Sequence, residues 1–224
     1  MSRLSISAAL FDLDDTLLDR RESILKLTKC FISTFSKELS VFEENDLFEL
    51  IYHADGAGYR PRNLMVNELF SAQIWKSKPT EKEILDFWEK EFPLSSILER
   101  NAKETLLYLK RKGIKTAIVS NGEGHFQTAK INQVDLWNYF DIIIISGMIG
   151  FRKPDIQIYN MTLEKLGSMP DKTVFIGDNP NTDIIGAKNA GLHTIWKKAQ
   201  LPWSKEVSLP DFQIEKIEEL YSIL

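Results

Sequence analysis

The segment Asp12-Leu13-Asp14-Asp15-Thr16 sets two carboxylates two residues apart, so on extended backbone Asp12 and Asp14 point to the same side. Two acids facing one site could divide labour, one attacking or ligating a metal and the other moving protons. A solvated acidic turn would use the same residues. Ser120-Asn121-Gly122 offers a hydroxyl and backbone N–H groups that could hold anionic oxygens, and it is also an ordinary turn sequence. Lys153-Pro154 places a cation just before a helix start, where anions are favoured, although surface lysines are common there. Gly177-Asp178-Asn179, with Asp183 following, offers oxygen ligands for a hard cation, and Asp183 reads equally as a first-turn helix acid.

Each of these segments ends or follows a short apolar run that reads as a buried strand: Ala8 to Asp12, Thr116 to Ser120, Asp141 to Ser146 and Thr173 to Asp178. His193 to Trp196 is a fifth candidate strand and Asp211 to Ile214 a weaker sixth. Apolar runs without alternation suit a parallel sheet covered on both faces. Helical patterns separate them. Asn101-Ala-Lys-Glu104 has the form of a capping box, Pro154-Asp155 opens a second helix, and a third runs from about Pro180 to Ala190. The expected fold is α/β, a doubly wound parallel sheet of Rossmann-like type. Ligands in such sheets bind outside the carboxyl ends of the strands, where all four polar segments fall.

The stretch 18–93 breaks this rhythm with helical-period apolar positions and no convincing strand. It reads as an inserted helical module, leaving 1–17 and 94–224 as the core, with hinges near Leu18 and Pro93. A formal net charge of -4 and one cysteine give no global reason to bind nucleic acid or an anionic membrane, and exclude an internal disulfide or a cysteine zinc cluster. Cys30 reads as a small buried hydrophobe, and the opening MSRLSISAALFD lacks a signal-peptide pattern, so a soluble cytoplasmic chain is expected.

Taken in order, the four segments resemble the four motifs of the haloacid dehalogenase-like (HAD) hydrolase superfamily, in its phosphatase branch. The helical insertion between motifs one and two sits where that superfamily's subfamily I places an α-helical cap. The tail of motif four, Asn179 to Gly191, looks like that of phosphoglycolate-phosphatase-like and nucleotidase-like members. The resemblance implies a phosphatase acting on a small-molecule phosphate monoester through an aspartyl-phosphate. It casts Asp12 as nucleophile and Asp14 as general acid and base. Mg2+ would be held by the Asp12 carboxylate, the Asp14 backbone carbonyl and the Asp178 carboxylate. Lys153 would offset charge, Thr16, Ser120 and Asn121 would contact substrate, and Asp183 and Asn179 would support from behind. Asp14 separates this branch from the dehalogenases, which lack it. Phosphomutases keep both acids but usually read Gly-Val where this chain has Asp15-Thr16, so hydrolysis ranks above transfer to a second hydroxyl. A non-catalytic binding protein on the same fold is a further alternative.

Within the insertion, Tyr52 to Arg62 is rich in glycine and polar groups, as a substrate-facing loop would be. Asp55 and Arg62 are its candidate substrate contacts, with Arg60 for a second anionic group and Tyr59 for stacking. His125, after motif two, reads as a helix-start residue and His193 as structural. Trp75, Trp88, Trp137 and Trp196 read as packing residues, and Trp203 as a surface or dimer contact. A monomer or a homodimer is compatible with all of this.

Overall fold

The computed structural model describes residues 4–203 and 208–224, and the chain divides into two compact units, Met1–Asp19 with Leu98–Leu224, and Arg20–Ile97. The first unit opens with β1 (Ala8–Phe11). At Arg20 the chain enters the second unit and forms α1 (Arg20–Thr34), α2 (Glu44–Asp55), α3 (Arg62–Ser71) and α4 (Glu81–Leu94). Apolar side chains at helical spacing meet between these helices. Phe31, Phe35, Trp75 and Phe87 form an aromatic cluster with ring centroids 4.7 to 6.2 Å apart. Thr80 and Glu83 cap α4 reciprocally, at 3.2 Å from the Glu83 N–H to the Thr80 hydroxyl and 2.7 Å from the Thr80 N–H to the Glu83 carboxylate. Pro93, expected at a hinge, instead lies buried inside the last turn of α4. A proline there forfeits one ladder bond, and the Ser95 N–H closes the turn on the carbonyls of Glu91 and Phe92 at 2.9 and 3.0 Å.

Back in the first unit the order is α5 (Ala102–Arg111), β2 (Lys115–Ser120), α6 (Gly124–Gln133), β3 (Ile142–Ile145), α7 (Ser146–Ile149), α8 (Ile156–Leu166), β4 (Thr173–Gly177), α9 (Ile185–Asn189), β5 (His193–Lys197), β6 (Phe212–Ile214) and α10 (Leu220–Ile223). The strands form one parallel six-stranded sheet in the order β3-β2-β1-β4-β5-β6. Alternation along β1 divides the core. Ala9 and Phe11 pack on one face with Leu106 and Leu109 of α5 and Ile131 of α6, while Ala8 and Leu10 pack on the other with Ile158 and Leu163 of α8 and Ala187 of α9. This is the doubly wound α/β fold with a helical insert that the apolar runs point to. The capping box expected at Asn101 does not form. Asn101 has a left-handed backbone (φ 60°) in place of the extended one a capping side chain needs, and its side chain makes no cap bond. The third expected helix begins as a π-turn over Pro180–Ile184 and becomes α-helical only at Ile185. Among the described residues, no helix is long and apolar enough to cross a membrane.

Candidate active site at the strand ends

Strand order reverses at β1, whose neighbours β2 and β4 each begin a run to one side of the sheet. In open α/β sheets that reversal opens a crevice at the carboxyl ends. Register then decides what lies in it. Phe11 pairs with Ile118 on one side and Ile176 on the other, and the Asp12 N–H donates to the Ile176 carbonyl at 2.9 Å. Asp12 therefore stands level with Gly177-Asp178 and next to the end of β2 at Ser120. Lys153 enters from the connection between α7 and α8. Asn121 fixes its backbone twice, its Nδ2 donating to the Lys153 carbonyl at 2.9 Å and its Oδ1 accepting from the Lys153 N–H at 2.9 Å. The Lys153 ammonium then sits 2.5 Å from Asp12 Oδ1 and 2.8 Å from Asp183 Oδ1.

Asp183 arrives on the π-turn. Its Oδ2 accepts from the Asn179 N–H at 3.0 Å. A Cβ at Gly177 would lie 2.3 Å from that same Oδ2, so the strand must end in glycine for the carboxylate to fit. The Asn179 side chain caps the turn, accepting from the N–H groups of Asn181 and Thr182 at 2.8 and 3.1 Å. Tyr159 of α8 donates to the Thr182 carbonyl at 2.6 Å, and Trp196 Nε1 donates to the Asp178 carbonyl at 2.7 Å. Trp196 reads from sequence as packing alone, yet it and Tyr159 each anchor backbone that carries a site acid.

Asp12, Asp178, Asp183 and Lys153 are all buried. Burial pushes the Asp12 carboxyl up to about 7, the Lys153 charge opposing this and the Asp183 charge adding to it. Burial, reinforced by Asp183 and Asp12, holds Asp178 well above the carboxylate range. For Lys153 burial pulls downward, but the Asp12 and Asp183 charges outweigh it and keep the ammonium above an ordinary lysine. Asp12, Asp178 and Asp183 bring one oxygen each within 4.8 Å of one another, a spacing that could hold a metal ion. Among the described residues, the buried Asp178 Oδ1 has no hydrogen-bond partner. A buried carboxylate oxygen with no donor fits the role of a hard-cation ligand. Asp183, expected behind the site, belongs to this cluster and also touches Lys153, whereas the Asp14 carboxylate is engaged elsewhere.

Asp14 meets two residues that sequence reading missed. Lys130 Nζ lies 2.8 and 2.7 Å from its two oxygens, and Gln127 Nε2 lies 3.1 Å from Oδ2. The same Nε2 donates to Ser120 Oγ at 2.7 Å. His125, in the same stretch, is an exposed residue in the first turn of α6. The available signal was a glutamine and a lysine three apart, hence on one helix face, directly after the Ser-Asn-Gly turn. Thr16 is fully buried and its hydroxyl has no partner among the described residues.

The second unit corrects the expected substrate loop. Tyr52 to Asp55 is the last turn of α2, Gly56–Gly58 is a 3-10 turn, and Arg62 opens α3. Asp55 is completely buried. Its Oδ2 accepts from Arg20 Nε at 2.7 Å and the Gly58 N–H at 3.1 Å, and its Oδ1 from Arg20 at 2.9 Å and Arg62 at 3.3 Å. All four acceptor positions of the carboxylate are filled, so Asp55 has none left for a substrate. Arg60 pairs with Glu68, and the Arg62 guanidinium lies 5.0 Å from the Trp88 ring centre. Tyr59 is exposed and His193 half-buried. Trp137, expected to pack, is exposed on a 3-10 turn, and Trp203 packs edge-on against Trp196 at 4.9 Å.

A doubly wound parallel sheet whose central strand ends in an aspartate paired with lysine, beside further acids, defines an α/β enzyme built around a carboxylate. Known proteins agree. The family model of haloacid dehalogenase-like hydrolases matches residues 9–197. The chain is 28% identical over 200 residues to glyceraldehyde 3-phosphate phosphatase of Methanothermobacter thermautotrophicus, covering 88% of this chain and 87% of that protein. It is 33% identical over 122 residues to pyrimidine 5'-nucleotidase YjjG of Escherichia coli, covering 54% of each. Among solved structures, the putative HAD-hydrolase YfnB of Bacillus subtilis, bound to magnesium, superposes with a TM-score of 0.77 at 24% identity, covering 100% of this chain and 99% of that one. The chain belongs to the haloacid dehalogenase-like hydrolase family. The phosphatase-type hydrolase expected from the four motifs is the class of enzyme into which it falls.

Proposed function

We propose that the protein hydrolyses a small-molecule phosphate monoester through an aspartyl-phosphate on Asp12, with Mg2+ as cofactor. The observation that carries this reading is the convergence of Asp12, Lys153, Asp178 and Asp183 at the ends of β1 and β4. The similar proteins act, by name, on an aldose phosphate and on nucleoside monophosphates, whose shared chemistry is the monoester. The three carboxylates and the orphaned Asp178 oxygen suit Mg2+, which prefers oxygen ligands. Bound there, it would supply positive charge that lets an anionic ester approach a carboxylate.

The chain's own residues divide the remaining work. A carboxylate oxygen of Asp12 attacks phosphorus, the ester oxygen leaves, and Asp14 delivers its proton to that leaving oxygen. Water then attacks the aspartyl-phosphate, losing its proton to Asp14, and frees Asp12 and inorganic phosphate. Lys153 balances the charge of Asp12 and of the transferring oxygens. Gln127 donates to Ser120 Oγ, and the Ser120 hydroxyl, which reaches the Asn121 carbonyl at 3.4 Å, would turn to donate to those oxygens together with the Asn121 N–H.

A single turnover of p-nitrophenyl phosphate in 18O water, with Mg2+, tests the reading. Label should enter the Asp12 side chain and appear there by peptide mass spectrometry, and D12N should release no nitrophenol. Turnover that leaves Asp12 unlabelled, or no release at any Mg2+ concentration from any of a panel of phosphorylated metabolites, overturns it.

A further inference from the structure

Lys130 and Gln127 are both buried, yet both reach a carboxylate whose side chain keeps 25% of its surface exposed. That asymmetry is informative. Burying an ammonium costs several kcal/mol, and for stability alone an apolar residue would serve α6 as well or better. The two donors also satisfy different needs. Lys130 contacts both oxygens of Asp14, which fixes the plane of the carboxylate. Gln127 links Asp14 Oδ2 to Ser120 Oγ, tying the proton-transfer group after β1 to the hydroxyl ending β2. Its amide nitrogen donates to Asp14 Oδ2, an oxygen that accepts.

The surrounding backbone is shaped for this contact. Gly122 has φ +146°, and a Cβ there would come 2.9 Å from Gln127 Cγ. The turn between β2 and α6 therefore leaves room for this side chain in particular. The Phe126 ring lies 5.0 Å from Lys130 Nζ and gives the ammonium a second favourable neighbour on the same helix. Helical spacing of three places Gln127 and Lys130 on one face, so a single rigid element orients the acid.

We infer that Gln127 and Lys130 are positioning residues for Asp14, holding its carboxylate in the orientation from which it exchanges a proton with the ester's leaving oxygen. The catalytic half of this statement rests on the phosphatase reading above. The positioning half does not.

The test compares K130M, Q127L and K130R with the wild type on two esters, p-nitrophenyl phosphate and phenyl phosphate, with Mg2+ present. Phenolate is the poorer leaving group and depends more on protonation. K130M and Q127L should lose at least ~10-fold more kcat on phenyl phosphate than on p-nitrophenyl phosphate. K130R, which keeps the charge and the donors, should recover most of that difference. Crystal structures of K130M and Q127L should show the Asp14 carboxylate turned away from its wild-type orientation. Q127L leaves no charge unpaired and carries the same test where K130M does not fold. Equal loss on both esters, or an Asp14 that stays in place in the variants, overturns the inference. A wild type that hydrolyses neither ester sinks the phosphatase reading instead, and the crystal comparison still decides whether Asp14 is positioned.

Discussion

Asp55→Asn should unfold the helical unit far more readily than it disturbs substrate binding. The wild-type carboxylate is fully buried and accepts four hydrogen bonds, two from Arg20 and one each from Arg62 and the Gly58 N–H. Asparagine replaces one oxygen with an NH2 that must face a donor, and it removes the Asp55 charge from beside Arg20, which is also buried. Removing one member of a buried pair costs about 3–5 kcal/mol. At 2–4 °C per kcal/mol for a chain of this size, the melting point should fall by roughly 6–20 °C.

The pH dependence has a definite sign. Burial would raise the Asp55 carboxyl, but the Arg20 charge and its hydrogen bonds, then Arg62, hold it below its ordinary value. A lowered carboxyl stabilises the fold above its unfolded value, about 4, and that contribution is lost as pH falls through the folded value. Thermal melts followed by circular dichroism should therefore show the full gap between wild type and D55N at pH 7, narrowing only below about pH 4. The double variant R20M/D55L, which removes both charges, should recover much of the loss. A D55N protein within about 1 kcal/mol of wild type at pH 7 refutes the reasoning. So does a gap that stays constant on acidification. A raised KM with an unchanged melting point would instead restore Asp55 as a substrate contact.

K153A should cost roughly 10²-fold or more in kcat, as loss of a charged group beside the transferring oxygens does, and undiminished steady-state turnover would remove Lys153 from the site. In D14N the loss should be smaller with p-nitrophenyl phosphate than with phenyl phosphate, and equal loss on both argues against proton transfer by Asp14. G177A forces a Cβ to within 2.3 Å of Asp183 Oδ2, so kcat should fall together with a 1–3 kcal/mol loss of stability by urea titration; an active, stable variant would show that Asp183 can move without consequence. The Asp12 carboxyl rises from 3.8 to about 7, so its contribution to metal-free stability is present at low pH and lost as pH passes 7. Added Mg2+ should accordingly raise the melting point more at pH 8 than at pH 5, and a flat profile between them counts against the carboxylate site.

Legibility in the sequence followed the range of the interactions. The strands were visible because short apolar runs, four residues long in Ala8 to Phe11 and Ile142 to Ile145 and three in Ala117 to Val119, are a local signal that needs no partner to be recognised. Asp12, Asp178 and Lys153 were visible because each sits at or near an element end, where polar residues are otherwise left to turns. Gln127 and Lys130 were not, because a polar pair on a helix reads as solvated until the fold brings Asp14, more than a hundred residues away in sequence, against it. Asp55 failed in the opposite direction. Its glycine-rich neighbourhood reads as an open loop, but the left-handed Gly56 and Gly58 serve to turn the chain so that α2 can deliver Asp55 to Arg20.

The two buried carboxylates Asp55 and Asp178 state the physical difference between a structural and a functional acid. Both are out of water, and a charge out of water must be compensated. Around Asp55 the compensation is complete within the chain, and its carboxyl is held low. Around Asp178 it is incomplete: among the described residues one oxygen has no donor, the carboxylates of Asp183 and Asp12 outweigh the Lys153 charge, and its carboxyl is pushed high. Folding gains nothing from that arrangement, and a well-packed apolar side chain at the end of β4 would stabilise the sheet more. Such a cost persists where something outside the chain completes the site, and the cluster of Asp12, Asp178 and Asp183 needs positive charge and oxygen affinity in the same place. Lys153 supplies part of that charge from within, against Asp12 and Asp183. Under the proposed function, the remainder is what a bound divalent cation would supply.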